Sequence, residues 1–222
     1  MDLNYNTVNI FPVPIHQFDV NGYSEIQDEL IDYVYKMREK DPIGNTISNR
    51  RGWQSSCFSI HNEDDILKKF LINCLSEFPP IEKSIKLFVS AWININPPEA
   101  FNMKHNHPTS DLSGVLWIKA PKDCGNIMFS SPSSFATHRE IECYNEDFKE
   151  NNNYFHSYAF YPTEGRILVF PSHLQHYVDF NKSNEDRISV SFNIRLNRSK
   201  EYDRLIQIAK DHVKNTVLET IW

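Results

Sequence analysis

A two-residue repeat of apolar side chains in two stretches of this 222-residue chain constrains its fold more than any other feature. In the first stretch, every second residue from Ile85 to Ile95 is apolar. In the second stretch, Arg187, Ser189, Ser191 and Asn193 alternate with Ile188, Val190, Phe192 and Ile194. A period of two residues is typical of a β-strand whose two faces meet different surroundings. The sequence therefore predicts two long strands, one beginning at Ser84 and one over residues 187–195.

Two helices are predicted before the first of these strands. Helical spacing of apolar residues predicts a helix over residues 24–40, and Ser24 with Gln27 forms a candidate capping box at its start. A second helix is predicted over residues 63–78, with one apolar stripe formed by Ile66, Phe70, Cys74 and Phe78.

Short strand-like runs fill most of the remaining chain, at residues 112–118, 126–130, 155–161 and 166–170. A polar, poorly patterned segment over residues 133–153 predicts a long excursion between strands. Helices first, then many short strands, then a helix near 200–216 predict a mainly β protein, a sandwich or barrel with helices on one face.

The length suits one domain over residues 1–222, with a helical N-terminal support over about 20–80, a β core over about 84–196 and a C-terminal helix over about 200–216. Because the net charge is −6 and no Lys/Arg cluster exceeds a pair, nucleic acid is not expected as a partner. The sequence contains no apolar stretch of about twenty residues and no signal-peptide pattern, so we predict a cytoplasmic protein without a membrane partner. Four scattered cysteines are predicted to be reduced thiols.

His105 and His107 lie in the segment KHNHP, just before a predicted strand. If this segment is extended, positions i and i+2 point to the same side, and both imidazoles face one point in space. That geometry suits two metal ligands. The alternative is a pair of solvated loop histidines, and the HNH spacing alone does not decide between them.

The polar face of the strand over 187–195 also permits two interpretations. It could face water, as in many antiparallel sheets. It could instead line a polar cavity, where Arg187 would hold a carboxylate in a bidentate manner and Ser189 would add a hydroxyl bond. His176 precedes this strand and follows a β-like run.

Four segments in order, HNHPTSDLSGVLWIKAP, GNIMFSSP, EGRILVFPSHLQHYV and RISVSFN, resemble 2-oxoglutarate and iron(II)-dependent oxygenases of marine bacteria and their phages, which are relatives of the prolyl hydroxylases. The upstream IFPVPI and SNRRGWQSS segments are also similar, so the resemblance covers most of the chain. It implies a double-stranded β-helix, also called a jelly roll or cupin-like barrel. It further implies an O2-dependent hydroxylase that acts on a peptidyl or small-molecule substrate and releases succinate and CO2.

The resemblance also implies the site residues. His105, His107 and His176 are expected to bind iron, and Arg187 is expected to bind the far carboxylate of 2-oxoglutarate. The wider superfamily normally has Asp or Glu at the position of His107, so Asp111 is the alternative third ligand. We favour His107, because Asp111 lies beyond Pro108, which starts a predicted turn. Further predicted contacts of the co-substrate are Ser189, Asn94 and Trp117.

Two other functions fit the same residues. One is a three-histidine cupin-type metalloenzyme that uses no keto acid, and the other is a jelly-roll binding protein without catalysis. The predicted C-terminal helix could pack on the barrel or on a second subunit, so a homodimer is a further hypothesis.

Overall fold

The computed structural model describes residues 6–61, 65–76, 78, 81–82, 85–133 and 140–197. Twelve strands occur in these residues: β1 (His16–Asp19), β2 (Asn49–Arg50), β3 (Trp53–Gln54), β4 (Phe58–Ser59), β5 (Lys86–Asn96), β6 (Phe101–His105), β7 (Leu112–Lys119), β8 (Ile127–Ser130), β9 (Ser157–Phe160), β10 (Arg166–Pro171), β11 (His176–Val178) and β12 (Arg187–Asn197). The helices are α1 (Gln27–Lys40), α2 (Ile66–Ser76), α3 (Glu140–Cys143) and α4 (Glu146–Asn152), and a 3-10 turn over Tyr23–Glu25 precedes α1. The C-terminal helix predicted over about 200–216 lies outside the described residues. Within them, no helix has the length and apolar character that a bilayer crossing requires.

The strands form two antiparallel sheets. The large sheet has the order β1-β10-β7-β12-β5-β3, with β4 also paired to β5, and the small sheet has the order β2-β6-β11-β8-β9. From β5 to β8, and again from β10 to β12, each successive strand enters the other sheet. This alternation produces the double-stranded β-helix, and the predicted mainly β jelly-roll fold is confirmed.

The two strands with the cleanest alternation form the centre of the large sheet. β12 pairs with β5 along its whole length, from Arg187 opposite Asn96 to Asn197 opposite Lys86. The apolar face of β12, formed by Ile188, Val190, Phe192 and Ile194, is fully buried in the main core. The opposite face of β12 carries its polar residues, and this face is turned toward the small sheet.

The main apolar core lies between the large sheet and the helices. It joins side chains of α1 such as Leu30 and Val34, and of α2 such as Leu67, to the outer face of β5 and β12. A smaller cluster fills part of the space between the two sheets, and its members are Val115, Trp117, Ile127, Phe129, Leu168, Phe170 and Leu174. The helices therefore cover one face of the barrel, as the order of the predicted elements indicated.

The predicted capping box of the first helix is wrong. Ile26 occupies the N-cap of α1 and no side chain caps the helix there. The Gln27 side chain instead donates a hydrogen bond from Nε2 to the carbonyl of Ile118, at 3.0 Å. A contact with the sheet thus replaces the local bond that Ser24 and Gln27 were predicted to make.

The second helix is shorter than predicted, and its most buried stripe lies one residue further along the chain than the predicted stripe. α2 ends at Ser76, and its most buried apolar side chains are Leu67, Leu71 and Leu75. Of the predicted stripe, Ile66, Phe70 and Cys74 pack against the same core but stay partly exposed, whereas Phe78, after the end of the helix, is buried in it. The polar segment over 133–153 also contains α3 and α4. The Asn145 side chain caps α4 by accepting a hydrogen bond from the backbone N–H of Phe148 at 2.8 Å.

Candidate metal centre and adjoining cavity

Three histidines from two neighbouring strands of the small sheet converge between the sheets. His105 ends β6, His107 follows two residues later, and His176 begins β11, where it is the register partner of His105. One ring nitrogen of each histidine can be chosen so that all three lie within 4.8 Å of one another. The pairing of β6 with β11 therefore brings together imidazoles that are 71 residues apart in sequence, as the metal-site hypothesis requires.

Backbone carbonyls fix the orientation of two of these rings. Nδ1 of His105 lies 2.6 Å from the carbonyl oxygen of Met103, and Nδ1 of His176 lies 3.0 Å from that of Leu174. A carbonyl can only accept, so each Nδ1 carries a proton and donates it, which leaves the Nε2 lone pair free to bind a metal. A hydrogen bond of this kind behind a ligand nitrogen is the usual way in which proteins orient histidine ligands.

Burial keeps all three imidazoles neutral. Burial lowers the pKa of His105. Burial, together with the positive charge that a protonated His105 would carry, also lowers the pKa of His107 to about 4. Burial and the same neighbouring charge lower the pKa of His176 to about 3. Metal ions bind the neutral form of histidine, so the three rings are ready to act as ligands at neutral pH.

The alternative third ligand, Asp111, lies outside this cluster. Its side chain is exposed, and its Oδ2 accepts a hydrogen bond from the backbone N–H of Leu196 at 2.7 Å. His107 instead packs against the Trp92 ring at 5.6 Å between ring centroids, next to the other two histidines. His173, three residues before His176, is exposed. Among the described residues, the structure brings together three imidazoles and no carboxylate.

Arg187 lies at the start of β12 with its side chain buried between the sheets, at 2% exposure. Its Nη1 donates to the carbonyl oxygens of Cys124 and Gly125, at 2.7 and 3.1 Å. Gly125 has φ of +93°, a left-handed conformation that favours glycine. No carboxylate pairs with Arg187 within the described ranges, and burial lowers the pKa of its guanidinium to about 10. A buried cation that stays charged at neutral pH without an anion is suited to bind one.

A cavity of about 470 Å³ connects the histidines with Arg187. All the predicted contacts of the co-substrate line it: Ser189, Asn94 and Trp117. Asn94 donates from Nδ2 to Oγ of Ser191 at 3.1 Å, but its Oδ1 is buried without a hydrogen-bond partner. Buried polar atoms normally have a partner, so an unpaired oxygen on the cavity wall indicates that a ligand donates to it. The polar face of β12 therefore lines a cavity and does not face bulk water.

Solved structures of several enzymes share this fold. They include a prolyl-4-hydroxylase from Pseudomonas putida, with TM-score 0.58 and 14% identity over 84% of this chain and 94% of that one. A prolyl hydroxylase from Trichoplax adhaerens, in complex with a peptide fragment of the hypoxia inducible factor oxygen degradation domain, has TM-score 0.56 and 12% identity over 82% and 83% of the two chains. HygX from Streptomyces hygroscopicus, with nickel, 2-oxoglutarate and hygromycin B bound, has TM-score 0.55 and 8% identity over 82% and 83%.

Residues 90–193, which carry all the residues of the histidine and arginine site, match the model of a family described as "Putative 2OG-Fe(II) oxygenase". This stretch of the chain, a little under half of it, therefore matches the 2-oxoglutarate and iron(II)-dependent oxygenase family. No curated protein matches the sequence of the chain significantly. The family resemblance found in the sequence is thus confirmed, whereas the marine bacterial or phage origin that it implied stays a prediction.

One wall of the cavity was missed by the sequence analysis. It is formed by the segment around β2 and β3, which contributes Arg50, Gln54 and Ser55 among others. Gln54 is buried and lies opposite Asn94 in the pairing of β3 with β5. Ser55 Oγ accepts from the backbone N–H of Ile93 at 2.9 Å, which fastens this wall to the large sheet. The only signal was the resemblance of SNRRGWQSS to the family, because strands of two residues have no readable alternation.

Proposed function

We propose that this protein is an oxygenase that holds iron(II) through His105, His107 and His176, binds 2-oxoglutarate through Arg187, and hydroxylates a peptidyl or small-molecule substrate. The observation that carries the proposal is the placement of three neutral imidazoles and one buried, unpaired guanidinium on the walls of a single cavity. Bound together, iron(II) and 2-oxoglutarate supply the O2-dependent oxidant for C–H hydroxylation, with succinate and CO2 as by-products.

The donor set fits a ferrous ion. Imidazole nitrogens are good ligands for iron, and three ligands from the protein leave positions for the co-substrate and O2. His105 and His176 have their rings fixed by backbone carbonyls, which reduces the entropy lost when a metal binds. Because all three ligands are neutral, the site retains the full double positive charge of the ion. That charge favours a doubly anionic co-substrate such as 2-oxoglutarate.

The other end of the cavity fits a carboxylate. Nη1 of Arg187 is occupied by two carbonyls, and this holds the guanidinium in place with further N–H groups left to donate. Ser189 lies two residues along the same face of β12, where its hydroxyl can donate to the same carboxylate. The unpaired Oδ1 of Asn94 can accept from a water or a substrate group held next to the co-substrate.

The three-histidine set alone would equally suit a metalloenzyme that uses no keto acid. Arg187 argues against that alternative, because a buried cation without an anionic partner is costly to keep. Binding of a keto-acid carboxylate explains why Arg187 is buried there, whereas a metalloenzyme without a keto acid leaves Arg187 without a function.

The test is an anaerobic titration of the metal-free protein with iron(II) and then with 2-oxoglutarate. We expect the visible charge-transfer band of an iron(II) keto-acid complex in the unaltered protein and its loss in His176→Ala. His173→Ala is the matched control, since that exposed histidine is three residues away, and it should keep the band. If the unaltered protein binds iron(II) but never develops the band, the protein does not use 2-oxoglutarate.

A further inference from the structure

The charge of the cavity walls differs from that of the whole protein. The chain has 29 acidic side chains in 222 residues, so an even distribution would place about three among the 26 residues that line the cavity. None of the 26 is Asp or Glu, whereas three are Lys or Arg. Arg187 is one of the three and belongs to the 2-oxoglutarate site. The other two, Arg50 and Lys104, lie on the neighbouring strands β2 and β6 and have no role in the proposed co-substrate site.

Arg50 presents a fixed guanidinium with a free binding edge. Its Nη1 donates to the carbonyl oxygens of Ile47 and Asn49, at 3.1 and 2.8 Å. These bonds occupy one nitrogen and leave Nε and Nη2, which together form the fork that binds carboxylate or phosphate in a bidentate manner. Neither nitrogen has an acceptor in the described part of the chain, and Arg50 forms no ion pair there. The geometry thus resembles that of a preformed oxyanion receptor.

The position of Arg50 sets how far such an anion would lie from the histidines. Its register partner on β6 is Phe101, which is four residues before His105. Four residues of extended strand span about 13 Å. This spacing separates the backbone of Arg50 from that of His105, so we place an anion held by Arg50 away from the substrate carbon that faces the metal centre. Lys104, adjacent to His105 in sequence, adds a second positive charge along this path.

We infer that the substrate of this oxygenase carries an oxyanionic group, a carboxylate or a phosphate, which Arg50 binds with electrostatic support from Lys104. This inference rests on the proposed function, because it names the substrate class of the same cavity. Arg50 acts here as a specificity-determining residue that touches the substrate away from the reacting carbon.

The test compares charged probes with matched neutral ones. Protein loaded anaerobically with iron(II) and 2-oxoglutarate is titrated calorimetrically with N-acetylleucine against N-acetylleucinamide, and with glycerol 3-phosphate against glycerol. We expect the anionic member of at least one pair to bind about tenfold more tightly, the size of one charge-assisted hydrogen bond. Arg50→Gln should abolish that preference, and Arg50→Lys should retain part of it because the charge remains without the fork. Arg195→Gln removes the same charge from an exposed residue outside the cavity and should leave the preference unchanged.

Each other outcome overturns a defined part of this reasoning. Equal affinity of charged and neutral probes, failure of both anions to bind, or a preference that survives Arg50→Gln overturns the oxyanion inference. If Arg50→Gln does not fold, as judged by circular dichroism, an undiminished preference in Arg50→Lys overturns it in the same way. Failure of the unaltered protein to bind 2-oxoglutarate at the loading step is a separate result, and it overturns the proposed function.

Discussion

Replacing Arg187 with methionine should separate the binding role of this residue from its structural role. Methionine keeps a long flexible side chain in the buried position but removes the charge and all the N–H donors. We expect Arg187→Met to fold normally and bind iron(II), yet to lose most of its affinity for 2-oxoglutarate.

The small effect on stability follows from two opposing contributions. Burial lowers the pKa of Arg187 from its ordinary value to about 10, so burial disfavours its charged form by about 3 kcal/mol, a cost that methionine removes. Against this gain, the carbonyls of Cys124 and Gly125 lose their donor, at about 1–3 kcal/mol for each oxygen left unpaired. The contributions largely cancel, and the net change in the free energy of unfolding should lie between a gain of about 1 and a loss of about 3 kcal/mol.

The effect on the co-substrate has no such compensation. Loss of one partner from a buried charged pair costs about 2–5 kcal/mol in binding, so a loss of about 3 kcal/mol would weaken 2-oxoglutarate binding by roughly a hundredfold. Urea unfolding measures the first quantity, and anaerobic titration of the charge-transfer band measures the second. Arg166→Met, which breaks the exposed pair with Asp19, is the control and should leave both nearly unchanged.

Two results would refute this reasoning. If Arg187→Met binds 2-oxoglutarate within about threefold of the unaltered protein, the guanidinium is not the anchor. If the variant loses more than about 4 kcal/mol of stability, Arg187 is mainly a structural residue whose carbonyl contacts outweigh the cost of its buried charge.

Three further predictions concern the metal ligands and the core. Asp111→Asn should leave the iron(II) affinity measured by calorimetry unchanged, because the Asp111 side chain accepts a hydrogen bond from the backbone of Leu196. His107→Ala should weaken iron(II) binding at least tenfold. The opposite pair of results would make Asp111 the ligand. The metal-free protein should lose stability as the pH falls below 6.5, by up to about 1.4 kcal/mol per pH unit from His176 alone. The reason is that the pKa of His176 is about 3 in the folded protein, so the unfolded chain takes up the proton at a higher pH than the folded one. Urea unfolding between pH 7.5 and 5 checks this sign, and a flat profile would contradict it. Gly114→Ala should cost about 1–3 kcal/mol in thermal unfolding, since its Cβ would collide with the Phe192 ring and with the backbone carbonyl oxygen of Leu168. An unchanged melting temperature would contradict this packing argument.

Strands with a recognisable apolar pattern were predictable from the sequence, and strands of two residues were not. β5 and β12 have eleven residues each, enough for their two-residue repeat to be recognised, and apolar runs indicated β7, β8, β9 and β10. β2, β3 and β4 have two residues each and exist because a longer neighbour offers them backbone hydrogen bonds. No local pattern specifies such pairing, so the cavity wall that contains Arg50 and Gln54 could not be placed.

The site itself was only partly predictable. The i, i+2 spacing of His105 and His107 indicated a shared direction, and the family resemblance added His176 and Arg187. The choice between His107 and Asp111 depended on a contact between distant parts of the chain, the bond from Leu196 to Asp111, which spacing alone does not reveal. The capping box at Ser24 failed for a related reason, because Gln27 finds its partner on the sheet.

The position of the main core explains how this fold tolerates a polar interior. In a simple two-sheet sandwich the space between the sheets holds the apolar core. Here the described residues place 21 buried apolar side chains in the cluster between the large sheet and the helices, and only seven in the cluster between the sheets. Because α1 and α2 bury the outer face of the large sheet, the hydrophobic stabilisation of β5 and β12 does not depend on their inner faces. Those inner faces can therefore carry Arg187 and Asn94, whose burial would be costly in a sheet that relied on them for packing.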